Sequence, residues 1–156
     1  VNVGYTAANK EGLSQRQGAE LTAGISIDDS LSINAAYTYT DSVESDGAGG
    51  YRDEVRRARH TASFNLSWQA LDNLHINTNA QYNGSQLDQF FPPWPAPSEM
   101  VTLSDYRLLN INANYSASDR LDIYLRLDNL LDEDYEEVFG YQTLGFGASL
   151  GLRFDL

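Results

Sequence analysis

The sequence contains no cysteine and a single methionine. Without cysteine there is neither a disulfide framework nor a thiolate metal site. The sequence also has no apolar run of about 18 residues, which excludes a transmembrane helix, because such a helix is apolar around its whole circumference. A membrane β-barrel is still possible, since only every second residue of its strands faces lipid.

Basic residues are scarce: 10 Lys and Arg stand against 22 Asp and Glu, which gives a net charge of −12. Binding to a phosphate backbone requires clustered basic side chains, so nucleic acid is excluded as a partner.

Motifs for catalysis and for export are also missing. Neither G-x-S-x-G nor H-E-x-x-H occurs, and His60 and His75 fall on opposite parities of different alternating segments. We therefore predict no enzymatic activity and no cofactor. The sequence begins at Val1 without a basic n-region or an apolar h-region. An exported membrane protein needs such a signal, so we expect a fragment or a processed piece.

What the sequence does contain is strict alternation of apolar and polar residues. Leu31, Ile33 and Ala35 share one parity, while Ser32 and Asn34 share the other. Comparable alternation occurs over residues 19–27, 60–69, 74–83, 109–117, 121–128 and 146–156, and residues 1–5 look like the end of another strand. About eight strands are predicted, of roughly 10 to 15 residues each, which is longer than soluble sheets use and suits a tilted membrane crossing.

The connections between these segments alternate in length. Tight turns are predicted at 28–30, 71–73 and 118–120, and long loops at 41–55, 86–104 and 133–145. The form D-x-L-x-I begins at Asp29, Asp72 and Asp119, as if each hairpin restarted at one membrane depth. The predicted fold is all-β, a transmembrane antiparallel β-barrel. If the last strand descends to the periplasm, all three tight turns are periplasmic and the long loops face outside.

Four stretches carry a resemblance to a known family. They are QGAEL at 17–21, RRARH at 56–60, DYRLLN at 105–110 and NLLDEDYE at 129–136. With them the chain resembles the TonB-dependent receptors of Gram-negative bacteria, most closely their vitamin B12 branch. The resemblance has two departures. Residues 140–146 follow the family's G-Y-x-x-P-G-R pattern, and the local similarity around Tyr141, Gln142 and Thr143 favours the vitamin B12 branch, but Leu144 and Phe146 replace the usual proline and arginine. Leu156 ends the chain where the assembly machinery usually reads an aromatic residue.

The resemblance implies a location and a function. Family members are outer-membrane barrels of about 22 strands around a plug that carries the TonB box, and residues 1–156 would be the C-terminal barrel portion, without the plug. The implied function is uptake of cobalamin or a metal–siderophore complex, energised by TonB acting on the plug. The partners would then be membrane lipid, lipopolysaccharide, the small-molecule ligand and the outer-membrane assembly machinery.

One loop is rich in aromatic residues and contains all four prolines of the sequence. Because prolines stiffen a loop, Phe90, Phe91 and Trp94 could be presented to a ligand without a large ordering cost. Tyr141 is a fourth candidate for ligand contact. The alternative is that these rings pack on neighbouring loops or lie in the outer leaflet.

Two charged clusters have competing interpretations. Arg56, Arg57 and Arg59 could bind lipopolysaccharide phosphates through bidentate contacts, or they could balance the acidic loops nearby. The acidic run that contains Asp132, Asp134 and Glu136 could bind Ca²⁺, but it lacks the regular spacing of a calcium loop. A solvated loop is the preferred interpretation, so no metal site is predicted.

Two other functional classes stay open at this point. One is a free-standing eight-stranded outer-membrane barrel with a structural, adhesin or membrane-enzyme role. The other is a soluble β-sandwich, which the long strands and the one-sided distribution of long loops disfavour.

Overall fold

The computed structural model describes residues 12–155, which form twelve strands. The strands are β1 (Ser14–Ser26), β2 (Leu31–Ser45), β3 (Tyr51–Asp53), β4 (His60–Leu71), β5 (Leu74–Asn83), β6 (Gln86–Phe90), β7 (Glu99–Leu103), β8 (Tyr106–Ser118), β9 (Leu121–Asp128), β10 (Glu136–Val138), β11 (Tyr141–Gln142) and β12 (Gly147–Phe154). In this part of the chain there is no helix long and apolar enough to cross a membrane.

Seven long strands form the main sheet, in the order β1-β2-β4-β5-β8-β9-β12, and β3 adds to the end of β2. All neighbours are antiparallel. The seven strands predicted between residues 19 and 156 are confirmed, although β9 and β12 have eight residues each, fewer than the 10 to 15 expected. The strand expected at residues 1–5 lies outside the described residues. Within residues 12–155, β1 pairs only with β2 and β12 only with β9, so these residues form an open sheet.

The two faces of the main sheet differ as the alternation predicts. Large apolar side chains of one parity are exposed: Leu21, Ile25, Tyr37, Tyr39, Phe64, Trp68, Tyr115, Leu125, Leu150, Leu152 and Phe154. A continuous apolar face of this size is unfavourable in water and suits lipid. The other face carries polar contacts between neighbouring strands, such as Asn79 Nδ2 to Asn65 Oδ1 at 2.7 Å and Ser67 Oγ to His75 Nε2 at 2.8 Å.

The connections divide the sheet into two ends. The tight-turn edge holds the turns between β1 and β2, β4 and β5, and β8 and β9, as predicted. In the first of these, Asp28 Oδ1 accepts the N–H groups of Ser30 at 2.7 Å and Leu31 at 2.9 Å, a side-chain bond that favours reversal of the chain. The long-loop edge holds the other three connections.

The long connections contain strands that the sequence did not predict. β6 pairs with β7, and β10 with β11, as two small sheets of their own, while β2 continues to Ser45, beyond the loop start expected at residue 41. The expectation of plain loops was wrong there, because strands of two to five residues are too short to show a clear alternation.

Candidate functional site

Three segments of the long-loop edge are in contact with one another. They are the β3–β4 connection (54–59), the β6–β7 hairpin (86–103) and the β10–β11 hairpin (136–142). The backbone N–H of Arg56 donates to the Leu87 carbonyl at 2.7 Å, and Gln86 Nε2 donates to the Glu137 carbonyl at 3.3 Å. Segments far apart in sequence therefore form one cluster.

Asp88 lies at the centre of this cluster and is only 1% exposed. Its carboxylate accepts hydrogen bonds from Arg56 Nε at 2.8 Å, from the Phe139 N–H at 2.9 Å and from the N–H of the next residue, Gln89, at 2.8 Å. Burial raises the pKa of Asp88, but the Phe139 N–H and the Arg56 guanidinium outweigh that effect and hold the pKa below its ordinary value. Asp88 is therefore an ionised, fully paired group.

A cavity of about 640 Å³ opens between the β6–β7 and β10–β11 hairpins, and we call it the aromatic cavity. Its lining is mixed, with rings, a guanidinium and amide or hydroxyl groups. The lining residues are Arg56, Asp88, Gln89, Phe90, Phe91, Glu137, Val138, Phe139, Tyr141, Gln142 and Thr143. Apolar walls with a few placed polar groups are typical of small-molecule sites.

The structure brings together three of the four side chains predicted to contact a ligand. Phe90, Phe91 and Tyr141 line the aromatic cavity. Trp94 is not among the lining residues and is 92% exposed at the far end of the β6–β7 hairpin. Phe90 also packs edge-on against Phe139, with ring centroids 5.0 Å apart, so it combines lining the cavity with packing on a neighbouring loop.

Sequence reasoning missed several residues of the cavity. Phe139, Gln142 and Thr143 lie just after the 129–136 motif, and that proximity was the available signal for them. Asp88 gave no signal, because one acidic residue within QLDQF resembles any solvated loop residue.

The three candidate lipopolysaccharide contacts each face a carboxylate. Arg56 pairs with Asp88, Arg57 Nε lies 3.9 Å from Glu54, and Arg59 Nη2 lies 2.9 Å from Asp53. These pairs are what the second interpretation, balancing of acidic loops, requires. Contact with lipopolysaccharide stays a prediction.

Glu54 joins the β3–β4 connection to the main sheet. It accepts hydrogen bonds from Arg16 in β1 and Ser42 in β2. The Arg16 hydrogen bond is the largest cause, followed by that from Ser42, of the lowering of the Glu54 pKa to about 2. An ionised Glu54 therefore links the β3–β4 connection to the long-loop ends of β1 and β2.

Two side chains of the acidic run after β9 accept hydrogen bonds from backbone N–H groups. Asp132 Oδ1 accepts the Phe146 N–H at 2.8 Å, and Glu136 accepts the Gly140 N–H at 3.2 Å. Over residues 12–155 there is no group of three acidic, His or Cys residues placed to hold a metal ion. The geometry thus gives no support for calcium at Asp132, Asp134 and Glu136.

The 129–136 motif has a structural explanation. Asn129 is 5% exposed, its Nδ2 donates to the carbonyls of Glu133 at 2.9 Å and Leu144 at 3.3 Å, and its Oδ1 accepts the Glu133 N–H at 2.9 Å. Tyr135 packs on Tyr106, with ring centroids 4.3 Å apart. The motif closes the turn that follows β9 and anchors both ends of the last long connection.

Comparison with known proteins agrees with this architecture. Residues 1–130 match the family model described as TonB dependent receptor-like, beta-barrel. The chain is 30% identical over 137 residues to the iron-regulated outer membrane virulence protein of Vibrio cholerae, covering 86% of this chain and 20% of that protein. The chain therefore spans about a fifth of the length of this relative.

Solved structures share the fold at lower identity. The outer-membrane ferripyoverdine receptor of Pseudomonas aeruginosa superposes with a TM-score of 0.74 at 19% identity, covering 92% of this chain and 20% of that one. The siderophore receptor PiuA of Acinetobacter baumannii gives a TM-score of 0.70 at 22% identity, covering 90% and 22%.

These matches decide between the predictions about family and location. The single main sheet and the family match contradict a soluble β-sandwich, and the expected outer-membrane location is confirmed. The vitamin B12 branch is not confirmed, since the matches above are described by iron or siderophores. The chain belongs to the TonB-dependent receptor family and forms part of its outer-membrane β-barrel.

Proposed function

We propose that this chain is the C-terminal part of the barrel wall of a receptor that imports a ferric siderophore, with the aromatic cavity contacting the ligand at the outer mouth. The observation that carries the proposal is the convergence of Phe90, Phe91 and Tyr141, from different hairpins, on one cavity. The iron-related description of the Vibrio cholerae relative supports iron as the cargo.

The chemistry of the cavity suits such a ligand. Aromatic rings give a large contact area to a flat or apolar chelator at low conformational cost. The Arg56 side chain is half exposed at the cavity and can meet an anionic group of the chelate. In this proposal the long-loop edge faces the outside, and TonB supplies energy through the plug that the barrel surrounds.

The test uses the full receptor with the double substitution Phe91→Ser and Tyr141→Ser, and Trp94→Ser as the matched control. Binding is measured by titration with ferric tris-catecholate, ferric hydroxamate and cyanocobalamin as separate probes. We expect the double variant to bind at least one ferric probe about tenfold more weakly, which corresponds to about 1.4 kcal/mol. Trp94→Ser should have a smaller effect, because this ring lies away from the cavity.

Unchanged affinity of the double variant for every probe would contradict the proposed role of the cavity. Binding of cyanocobalamin instead of the ferric probes would favour the second candidate, a cobalamin receptor. That candidate rests on the local similarity at Tyr141, Gln142 and Thr143, which all line the cavity. A free-standing barrel with a structural, adhesin or enzymatic role has the family match against it.

A further inference from the structure

Asp88 is a buried carboxylate in a part of the molecule where most side chains are solvated. We propose that Asp88 is a positioning residue, which binds three long-loop segments at once and so holds the aromatic cavity open before a ligand arrives. The preformed geometry can be tested by itself. Its consequence for affinity rests on the proposed function.

The three donors to Asp88 come from three segments. Oδ1 accepts Arg56 Nε of the β3–β4 connection and the Gln89 N–H of its own hairpin, while Oδ2 accepts the Phe139 N–H of the β10–β11 hairpin. An ionised carboxylate can accept all of these bonds, since it offers only acceptors on two oxygens. An amide would direct its own N–H groups at a donor, so asparagine cannot replace Asp88 without losing a contact.

Other contacts run parallel to these bonds. Leu87 accepts the Arg56 N–H, Gln86 donates to the Glu137 carbonyl, and the Phe90 and Phe139 rings touch. Strand β6 therefore contacts both the β3–β4 connection and the β10–β11 hairpin. Arg56 also adopts a left-handed φ of 57°, a conformation that persists where surrounding contacts hold the residue.

Asp88 lies outside the main sheet, so its effect on the cavity can be measured apart from folding of the barrel wall. β6 and β7 pair with each other, as do β10 and β11, and none of these four strands contributes to the main sheet. Loss of the Asp88 contacts should loosen the three loop segments and leave the main sheet intact.

The experiment compares the full receptor with its Asp88→Asn variant by hydrogen exchange and mass spectrometry. We expect peptides covering 54–59, 86–91 and 136–142 to exchange about tenfold faster in the variant, as loss of a charge-assisted hydrogen bond would allow. Peptides from β4 and β5 should be unchanged. The matched control is Asp46→Asn, because the bonds that Asp46 accepts from the N–H groups of Ala48 and Gly50 lie within its own turn. The control should affect that turn alone.

Unchanged exchange in Asp88→Asn, or faster exchange in its own hairpin only, would overturn the proposal. If Asp88→Asn does not assemble, Arg56→Gln takes its place. That variant breaks the bond to the β3–β4 connection and leaves the one to Phe139, so residues 54–59 should exchange faster and residues 136–142 much less so. Equal exchange in wild type and Arg56→Gln would also overturn the proposal.

Affinity for the ferric probe that binds wild type distinguishes the two proposals. If Asp88→Asn speeds exchange while the Phe91 and Tyr141 substitutions leave affinity unchanged, Asp88 still positions the loops and the proposed ligand site is wrong. If those ring substitutions weaken binding and Asp88→Asn weakens it by a similar factor, both proposals hold. If the rings matter and Asp88→Asn leaves affinity at the wild-type value, Asp88 does not position the site.

Discussion

The main sheet and the long-loop edge are stabilised in different ways. β1 and β2 pair without interruption from Ser14 opposite Glu44 to Ser26 opposite Ser32, through backbone groups that every residue possesses. The segments of the long-loop edge meet through isolated backbone bonds, such as that from Arg56 to Leu87, and through a few side chains, above all Asp88, Asn129 and Glu54. The main sheet should therefore tolerate most side-chain changes except where space is lacking, and the loops should depend on single buried polar groups.

The largest effect is expected from adding a methyl group where the main sheet has no room. A Cβ at Gly18 would lie 2.2 Å from the Tyr39 carbonyl oxygen and 3.3 Å from Thr40 Cα. These are backbone atoms of the paired strand, so a side-chain rotation cannot relieve the clash. We expect Gly18→Ala to lower the free energy of unfolding by about 3 kcal/mol or more, measured by urea unfolding of the full receptor.

The matched control for that prediction is Gly147→Ala. A Cβ at Gly147 would have its nearest neighbour, Asp128 Cβ, at 3.9 Å, which is an ordinary contact. The change should alter the free energy of unfolding by less than about 1 kcal/mol. Equal destabilisation by the two substitutions would show that close backbone approach is not what limits the main sheet.

A smaller but clear effect is expected from Asn129, the buried amide of the last long connection. Asn129→Gly removes its three side-chain bonds and leaves the Glu133 N–H unpaired, while glycine still accepts the φ of 47°. We expect a loss of about 1–3 kcal/mol in urea unfolding and faster hydrogen exchange over 130–146. The control is Asn34→Gly at an exposed position of β2. It should leave hydrogen exchange over 130–146 unchanged.

The division between the two regions also explains what could be predicted from the sequence. The alternation from Leu31 to Thr40 has a period of two, which fixes the faces of a strand, and a register slip by one residue would put its apolar residues on the wrong side. The main sheet and its tight turns were therefore predictable. The loop strands were not, because strands of two to five residues are too short to show a clear alternation. Nor could the sequence predict how they assemble, since Asp88 contacts Arg56 and Phe139, which are 32 and 51 positions away.

The candidate site was predictable only in its most distinctive side chains. Phe90, Phe91 and Tyr141 stood out by residue type, and they do line one cavity. Trp94 stood out for the same reason and lies elsewhere, because residue type does not tell which way a hairpin tip points. Asp88 is inconspicuous in sequence, and its importance comes from burial and from three donors that only the folded chain assembles.

The smallest effect is expected at Glu54, where the loops meet the main sheet through charged groups that are partly exposed. The folded-state pKa of Glu54 is about 2, against an ordinary value of 4.5. Because the folded value is lower, the contribution of Glu54 to stability is fully present above about pH 5 and is lost as the pH falls toward 2. Arg16 is half exposed, so solvent screening keeps this contribution small.

The measurement compares urea unfolding of wild type and Glu54→Gln between about pH 7 and pH 3. Wild type should be the more stable of the two at neutral pH, and the difference should shrink as the pH falls below about 4.5, where Glu54 itself takes up a proton in the unfolded chain. Glu99→Gln, at the exposed start of β7, controls for the general loss of negative charge. A difference between wild type and Glu54→Gln that stays constant over this range would mean that Glu54 binds Arg16 and Ser42 no better as a carboxylate than as an amide.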